Sequence, residues 1–244
     1  MPPMDFIVNP QADMRPGIIE LRWGDPDPAL MPVALVARAT DEVLRRAGAA
    51  ALDYGVNEGP EVLRETLAAR IARDEGRAVA AGEIAVTNGN SPALHQLTAR
   101  LVRPGDVVLV EDPGFSLALR LFCDMGVELA GVPFDEGGLA VERLPGVLAR
   151  MRAQGKRPRF LYTVATFHNP TGVSLAAERR RRLVELAVAE AVLIVEDDVY
   201  RELGYGRPAP PSLWSLAAGV AGGAARVVRL GSFSKSLAPG LRCG

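Results

Sequence analysis

A lysine set among serines follows an apolar run at 231–235, GSFSK, and Arg242 comes seven residues later, beyond a Pro-Gly turn. Four further stretches join turn formers to polar or aromatic groups: NGNSP at 88–92, DPGF at 112–115, FHNPTG at 167–172 and DDVY at 197–200. Taken singly, each is a common turn. Ser91 before Pro92 also reads as a helix N-cap, and an aspartate of DDVY as a helix start. Taken together, they offer a definite chemistry. Small residues and free N–H groups at a helix start, as in NGNSP, favour an anion such as phosphate. Arg242 can reach the same anion as a bidentate donor, with the hydroxyls of Ser232 and Ser234 beside it. A nearby arginine and burial both disfavour the charged form of Lys235, which makes its amine a nucleophile towards a carbonyl.

For these groups to act together, the fold must bring them to one rim. Apolar runs rich in strand formers occur at 83–87, 106–111, 127–133, 159–166, 191–196 and 226–232, with segments of helical period between them. That alternation predicts an α/β fold with a mostly parallel sheet flanked by helices. Most of the runs are apolar throughout, as strands covered on both faces must be. Each of the five polar stretches follows a strand, and in a parallel sheet ligands bind outside the carboxyl ends of the strands. Leu63, Leu67 and Ile71, then Leu94, Leu97 and Leu101, mark helices whose stripes should cover the sheet. Four consecutive arginines at 179–182 are read as an exposed helix face, with Glu178–Arg182 and Arg181–Glu185 as i, i+4 pairs. The stretch at 204–212, rich in proline, is read as an exposed loop.

The 244 residues are 48% hydrophobic, enough for a substantial core, and the net charge of −1 gives no general pull towards nucleic acid or anionic membrane. Cys123 and Cys243 stand far apart without metal-ligand spacing, so neither a disulfide framework nor a metal site is expected. The N-terminus has no leader pattern and no apolar run is long enough to span a bilayer, which predicts a cytoplasmic protein.

An amine for an aldehyde, a site for phosphate, a carboxylate for a ring nitrogen and an aromatic face for a flat ring together describe pyridoxal 5′-phosphate. With their order along the chain, these motifs resemble the fold-type I pyridoxal-phosphate enzymes, and within them the class I and II aminotransferases. The branch holding 2-aminoadipate and kynurenine aminotransferases and the aminotransferase-like domains of MocR regulators is the most similar, from ELRWGDPDPALMP at 20–32 to the last residue. The resemblance implies a seven-stranded-type sheet in a cofactor-binding large domain over 36–244, an N-terminal arm over 1–35, and amino-acid and 2-oxo-acid substrates. SFSK implies Lys235 as the lysine that bonds the cofactor and shuttles the substrate proton. SLAPGLR implies that Arg242, Ser232 and Ser234 hold the phosphate, and GNS adds Gly89, Asn90 and Ser91. The D-x-x-Y spacing selects Asp197 for the pyridine nitrogen, with Asp198 as a structural neighbour, and Tyr200 for the phenolic oxygen. HNPTG implies that Asn169 donates to that same oxygen beside the substrate, while His168 packs. EDPGF puts Phe115 over the ring, WGDPDP puts the Gly24 backbone near the substrate carboxylate, and Tyr54 is implied to reach the partner's phosphate in a homodimer.

Departures from the family pattern are also visible. Phe115 stands where relatives often carry tyrosine or tryptophan, and Asn90-Ser91 replaces a commoner Ser-Gln pair. The resemblance leaves no residue for the arginine that clamps the substrate carboxylate, so the large domain is expected to be incomplete at its C-terminal end. Rival readings are an effector domain of a MocR regulator, although this chain has no room for a DNA-binding domain ahead of the resemblance, and a lyase of the same fold. An S-x-x-K acyl-enzyme nucleophile, Ser232 with Lys235, is a further rival from a different class.

Overall fold

The structure is a computed structural model that describes residues 17–19, 24 and 26–244. Most of the arm expected over 1–35 lies outside the described residues.

Two helices come first, α1 (Val33–Ala47) and α2 (Glu61–Glu75), then α3 (Asn90–Leu101). From there strands and helices alternate: β1 (Val107–Asp112), α4 (Ser116–Asp124), β2 (Glu128–Asp135), a short β3 (Gly138–Leu139) and α5 (Leu144–Ala153). The chain continues through β4 (Pro158–Thr163), α6 (Ala177–Ala189), β5 (Leu193–Asp197), a five-residue helix α7 (Leu213–Ala217) and β6 (Val227–Leu230). The strands form a six-stranded sheet in the order β3-β2-β1-β4-β5-β6, parallel except where β3 runs against β2.

The α/β architecture expected from the alternating runs is therefore present, with two corrections. The expected seven-stranded type has six strands among the described residues. The run at 83–87 ends a 3₁₀ turn (Ala81–Glu83) and then continues extended without entering the sheet. Its last residue is nevertheless paired: Thr87 N–H donates to Gly244 O at 2.7 Å and Gly244 N–H returns to Thr87 O at 3.1 Å.

Strand period divides the core into two layers. Leu109, Leu161 and Ile194 face the layer shared with α5 and α6, whereas Val108, Val110, Phe160, Tyr162 and Val195 face the layer shared with α3 and α4. Successive side chains alternate faces, so Asp197, two residues after Val195, points with Tyr162 towards α3. Glu196 points the other way. There it accepts from the N–H groups of Leu213 and Trp214 at 2.8 and 3.0 Å.

The four arginines of α6 do not form one exposed face. Arg180 is fully buried and donates to the carbonyls of Leu175, Pro211 and Ala165 at 2.8, 3.0 and 2.5 Å, joining three loop segments. Arg181 pairs with Glu185 at 3.1 Å as expected, while Arg182 meets Glu185, at 3.6 Å, in place of the expected Glu178. Arg179 turns to Asp135 and Glu142. The stretch at 204–212 is a mostly exposed loop, but Ser212 is buried as the N-cap of α7 and donates through its hydroxyl to Glu75 at 2.5 Å.

Candidate functional site

Strand order makes the site. From β1 the chain moves outward to β2 on one side and returns to β4 on the other, so the connections diverge between β1 and β4. A crevice opens at such a reversal, outside the carboxyl ends of the strands. DPGF follows β1, FHNPTG follows β4, DDVY begins at the last residue of β5, and GSFSK follows β6.

Asp197 is 5% exposed and has two donors. The Tyr162 hydroxyl donates to Oδ2 at 2.5 Å, and Asn90 Nδ2 donates to Oδ1 at 2.6 Å. Burial raises the carboxyl to about 6; the two donors pull it back, and the charges of Asp198 and Glu111 push it further up. Burial also pushes the Tyr162 phenol well above its ordinary value, with Asp197 adding to the effect, so the hydroxyl is a donor throughout the physiological range. A group that brings positive charge to this carboxylate would be favoured.

Asp198 has a separate role, as its selection as the structural neighbour implied. Its side chain is fully buried and accepts from Arg201 Nε at 2.6 Å and Arg229 Nε at 2.9 Å. Glu75 on α2 meets both arginines as well. Of the two aspartates, Asp197 is the one whose donors, Tyr162 and Asn90, lie on the face of the sheet that α3 covers.

The chain around Lys235 closes a second part of the rim. Lys235 Nζ donates to Gly24 O at 2.6 Å, so the two residues implied to meet substrate are in contact. Ser232 and Ser234 are joined through their hydroxyls at 2.9 Å, and Ser234 N–H donates to Ser232 Oγ at 3.1 Å. Lys235 is not hydrogen-bonded to Ser232, which leaves the S-x-x-K nucleophile without its base.

Gly89, at φ +91°, is the N-cap of α3; a Cβ there would lie 2.8 Å from Arg242 Nη2. The guanidinium is laid against bare backbone at a helix N-terminus, where it makes one long bond, 3.4 Å to Asn88 O. No carboxylate pairs with Arg242 among the described residues. Spare N–H donors, two serine hydroxyls and a helix start form a donor set suited to a phosphate dianion. Ser91 lies in the first turn of α3 and is exposed; the N-cap role read for it belongs to Gly89, whose φ only glycine adopts easily.

Asn169 Nδ2 donates to the Tyr200 hydroxyl at 3.0 Å, so both residues implied for one phenolic oxygen already meet. Burial raises the Tyr200 phenol, and the Asn169 bond opposes it. Phe115 caps the start of α4 and packs, half-buried, on the layer that contains Phe122 and Tyr162. His168 is buried and stacks 4.4 Å from Phe134, as a packing residue would. It has a polar contact too, since Nε2 lies 3.1 Å from Glu111 Oε2. Tyr54 is fully exposed and the structure does not bring it to the rim of this chain.

One residue escaped the sequence reading, and another makes a side-chain contact that it did not foresee. Tyr162 sits in an apolar strand and carries no motif; only its register beside Val195, two residues from Asp197, could have singled it out. Asn90 was assigned to phosphate, whereas its side-chain amide faces Asp197. Among the described residues no cluster suits a metal ion and no helix is long and apolar enough to cross a membrane.

Comparison with known proteins adds an independent observation. The family described as aminotransferase class I and II matches residues 16–244. An aromatic-amino-acid aminotransferase of Thermococcus litoralis is 37% identical over 93% of this chain and 53% of its own length. An HTH-type transcriptional regulator of Bacillus subtilis is 30% identical over 96% of this chain and 46% of its own. Among solved structures, kynurenine aminotransferase of Pyrococcus horikoshii, in complex with PMP, superposes with a TM-score of 0.85 at 35% identity, covering 93% of this chain and 55% of that one. The chain spans about half the length of the curated relatives it matches.

Proposed function

Because this chain belongs to the aminotransferase class I and II family, we propose that it holds pyridoxal 5′-phosphate and serves the transfer of an amino group from an amino acid to a 2-oxo acid. One observation carries the proposal: the amine of Lys235 and the buried carboxylate of Asp197 follow adjacent parallel strands, with the Arg242–Gly89 cradle beside them. When bound, the cofactor supplies an aldehyde for the amino group and a ring that draws off electrons.

Each residue then has a stated task. Lys235 would hold the cofactor through Nζ and, once the substrate amine takes its place, would be free to move the proton at the substrate α-carbon. Arg242, Ser232, Ser234 and the N–H groups at Gly89, Asn90 and Ser91 hold the phosphate. Asp197 would face the ring nitrogen and favour its protonated form, Tyr200 and Asn169 would donate to the phenolic oxygen, and Phe115 would offer its face to the ring. The Gly24 backbone, which Lys235 meets through its carbonyl, would lie near the substrate carboxylate. Tyr54, fully exposed in this chain, would reach the phosphate of a second copy, so the working enzyme proposed is a homodimer, and its proposed compartment is the cytoplasm.

The test is to add pyridoxal phosphate, reduce with borohydride and map the modified peptide. Label at Lys235 is the expected result, and label at another lysine refutes the assignment. The similarity to an HTH-type regulator favours a second reading, in which the same site binds the cofactor as an effector. Amino transfer from an amino acid to the bound cofactor, followed spectroscopically, separates the two, because an effector site retains the cofactor without transferring the amino group.

A further inference from the structure

The carboxylate of Asp197 is gripped from two directions, by Tyr162, which no motif assigns, and by the side-chain amide of Asn90, whose motif assigns it to the phosphate instead. Tyr162 lies on β4, Asn90 at the start of α3 and Asp197 at the end of β5, so the three converge from separate elements. Tyr162 is 1% exposed. Its ring is fixed edge-on by Phe122, 5.5 Å away at 74°, which leaves its hydroxyl aimed at Oδ2. On the other oxygen, the amide orientation of Asn90 follows from chemistry: at 2.6 Å from an ionised carboxylate only the NH₂ end is tolerated. The carbonyl end, Oδ1, is then buried with no partner. An amide that accepts such an orphan acceptor is held by its other end, and the other end is on Asp197.

We propose that Tyr162 and Asn90 are positioning residues for Asp197, fixing the plane of its carboxylate towards the cofactor ring nitrogen. The role rests on the cofactor assignment made above. Each carboxylate oxygen accepts more than one hydrogen bond, so both keep capacity for the ring after these two bonds are made. Without the two donors the side chain would be free to rotate about χ2, a broad torsion. Other ionisable groups acting on the carboxylate are Asp198, Glu111 and Tyr200.

The test uses Tyr162→Phe, which keeps the ring and removes the hydroxyl, with Asn90→Ser as a second variant should the first fail to fold. In the apoprotein, carboxyl NMR with labelled aspartate follows the Asp197 midpoint, which lies at about 6 in the native chain. Loss of a donor to the charged form should move that midpoint up by about one pH unit. Pyridoxal phosphate affinity should fall about tenfold in Tyr162→Phe, and by less than about twofold when the same change is made in an Asp197→Asn background. A residue that merely supports the fold would weaken binding equally in both backgrounds, and that result overturns the proposal. An unmoved midpoint overturns it as well, whether or not Lys235 is labelled. If the midpoint moves but borohydride fixes no cofactor on Lys235 in the native chain, the cofactor assignment falls, and the positioning role falls with it.

Discussion

Replacing Asp197 by asparagine should stabilise the apoprotein, and only above a definite pH. Burial raises this carboxyl from 3.8 to about 6 in the folded chain. Between those values the folded state keeps a proton that the unfolded state has released. Stability contributed by the group therefore falls as pH rises through that window, the sign required when the native state binds more protons. A shift of about two pH units corresponds to about 3 kcal/mol, reached in full above about pH 6. Asparagine fits the same space without the titration. Urea unfolding of the two apoproteins at about pH 4 and about pH 7.5 measures the effect, and the difference between them cancels the other titrating groups to first order. The variant should gain about 2.5 kcal/mol relative to the native chain between the two conditions, since about 0.5 kcal/mol of the effect is already present at about pH 4. A difference that stays constant with pH, or that moves in favour of the native chain, refutes the electrostatic account of Asp197. Under the proposed function the gain in stability would come with a loss of activity, because an amide carries no charge to set against a pyridinium.

Other outcomes test the rest of the site. Lys235→Ala should abolish borohydride labelling by pyridoxal phosphate while leaving the fold intact, as judged by circular dichroism and peptide mass. Gly89→Ala forces a Cβ to within 2.8 Å of Arg242 Nη2 at φ +91°. It should lose about 1–3 kcal/mol of stability in denaturant titration and weaken cofactor binding about tenfold. Asp198→Ala leaves Arg201 and Arg229 with Glu75 alone, so its loss should register in thermal stability, whereas Asp197→Ala should register in transfer of the amino group; equal losses of transfer in both would contradict the division of labour between the two aspartates. Arg180→Met strips the carbonyls of Leu175, Pro211 and Ala165 of their donor. At roughly 1–3 kcal/mol for each buried acceptor left unmade, calorimetry should find a melting temperature lower by ten degrees or more, on the order of that loss.

Much of the chemistry could be read before any fold was known. The strands of the central sheet announced themselves because a strand covered on both faces must be apolar throughout, as VVLV at 107–110 and LIV at 193–195 are. The polar stretches after them had to fall on one rim because parallel strands end on one side. Local pattern failed where partners are distant. The run at 83–87 has strand composition, yet beyond its opening 3₁₀ turn its backbone bonds run from Val86 to Glu58 and between Thr87 and Gly244, and such isolated bonds make no regular strand. Four identical arginines gave no hint that Arg180 alone is buried, since that depends on how α6 lies over the loops it clamps. Tyr162 was hidden for the same reason.

The residue types and their order determined the family resemblance and the cofactor it implies, and the D-x-x-Y spacing singled out Asp197 within the pair. Tertiary structure decided how that aspartate is held. Asn90 and Asp197 are 107 positions apart and Tyr162 and Asp197 are 35 apart. No local period relates residues at such separations; they meet because strand register and the crossovers on β4 and β5 turn both side chains to the face that α3 covers.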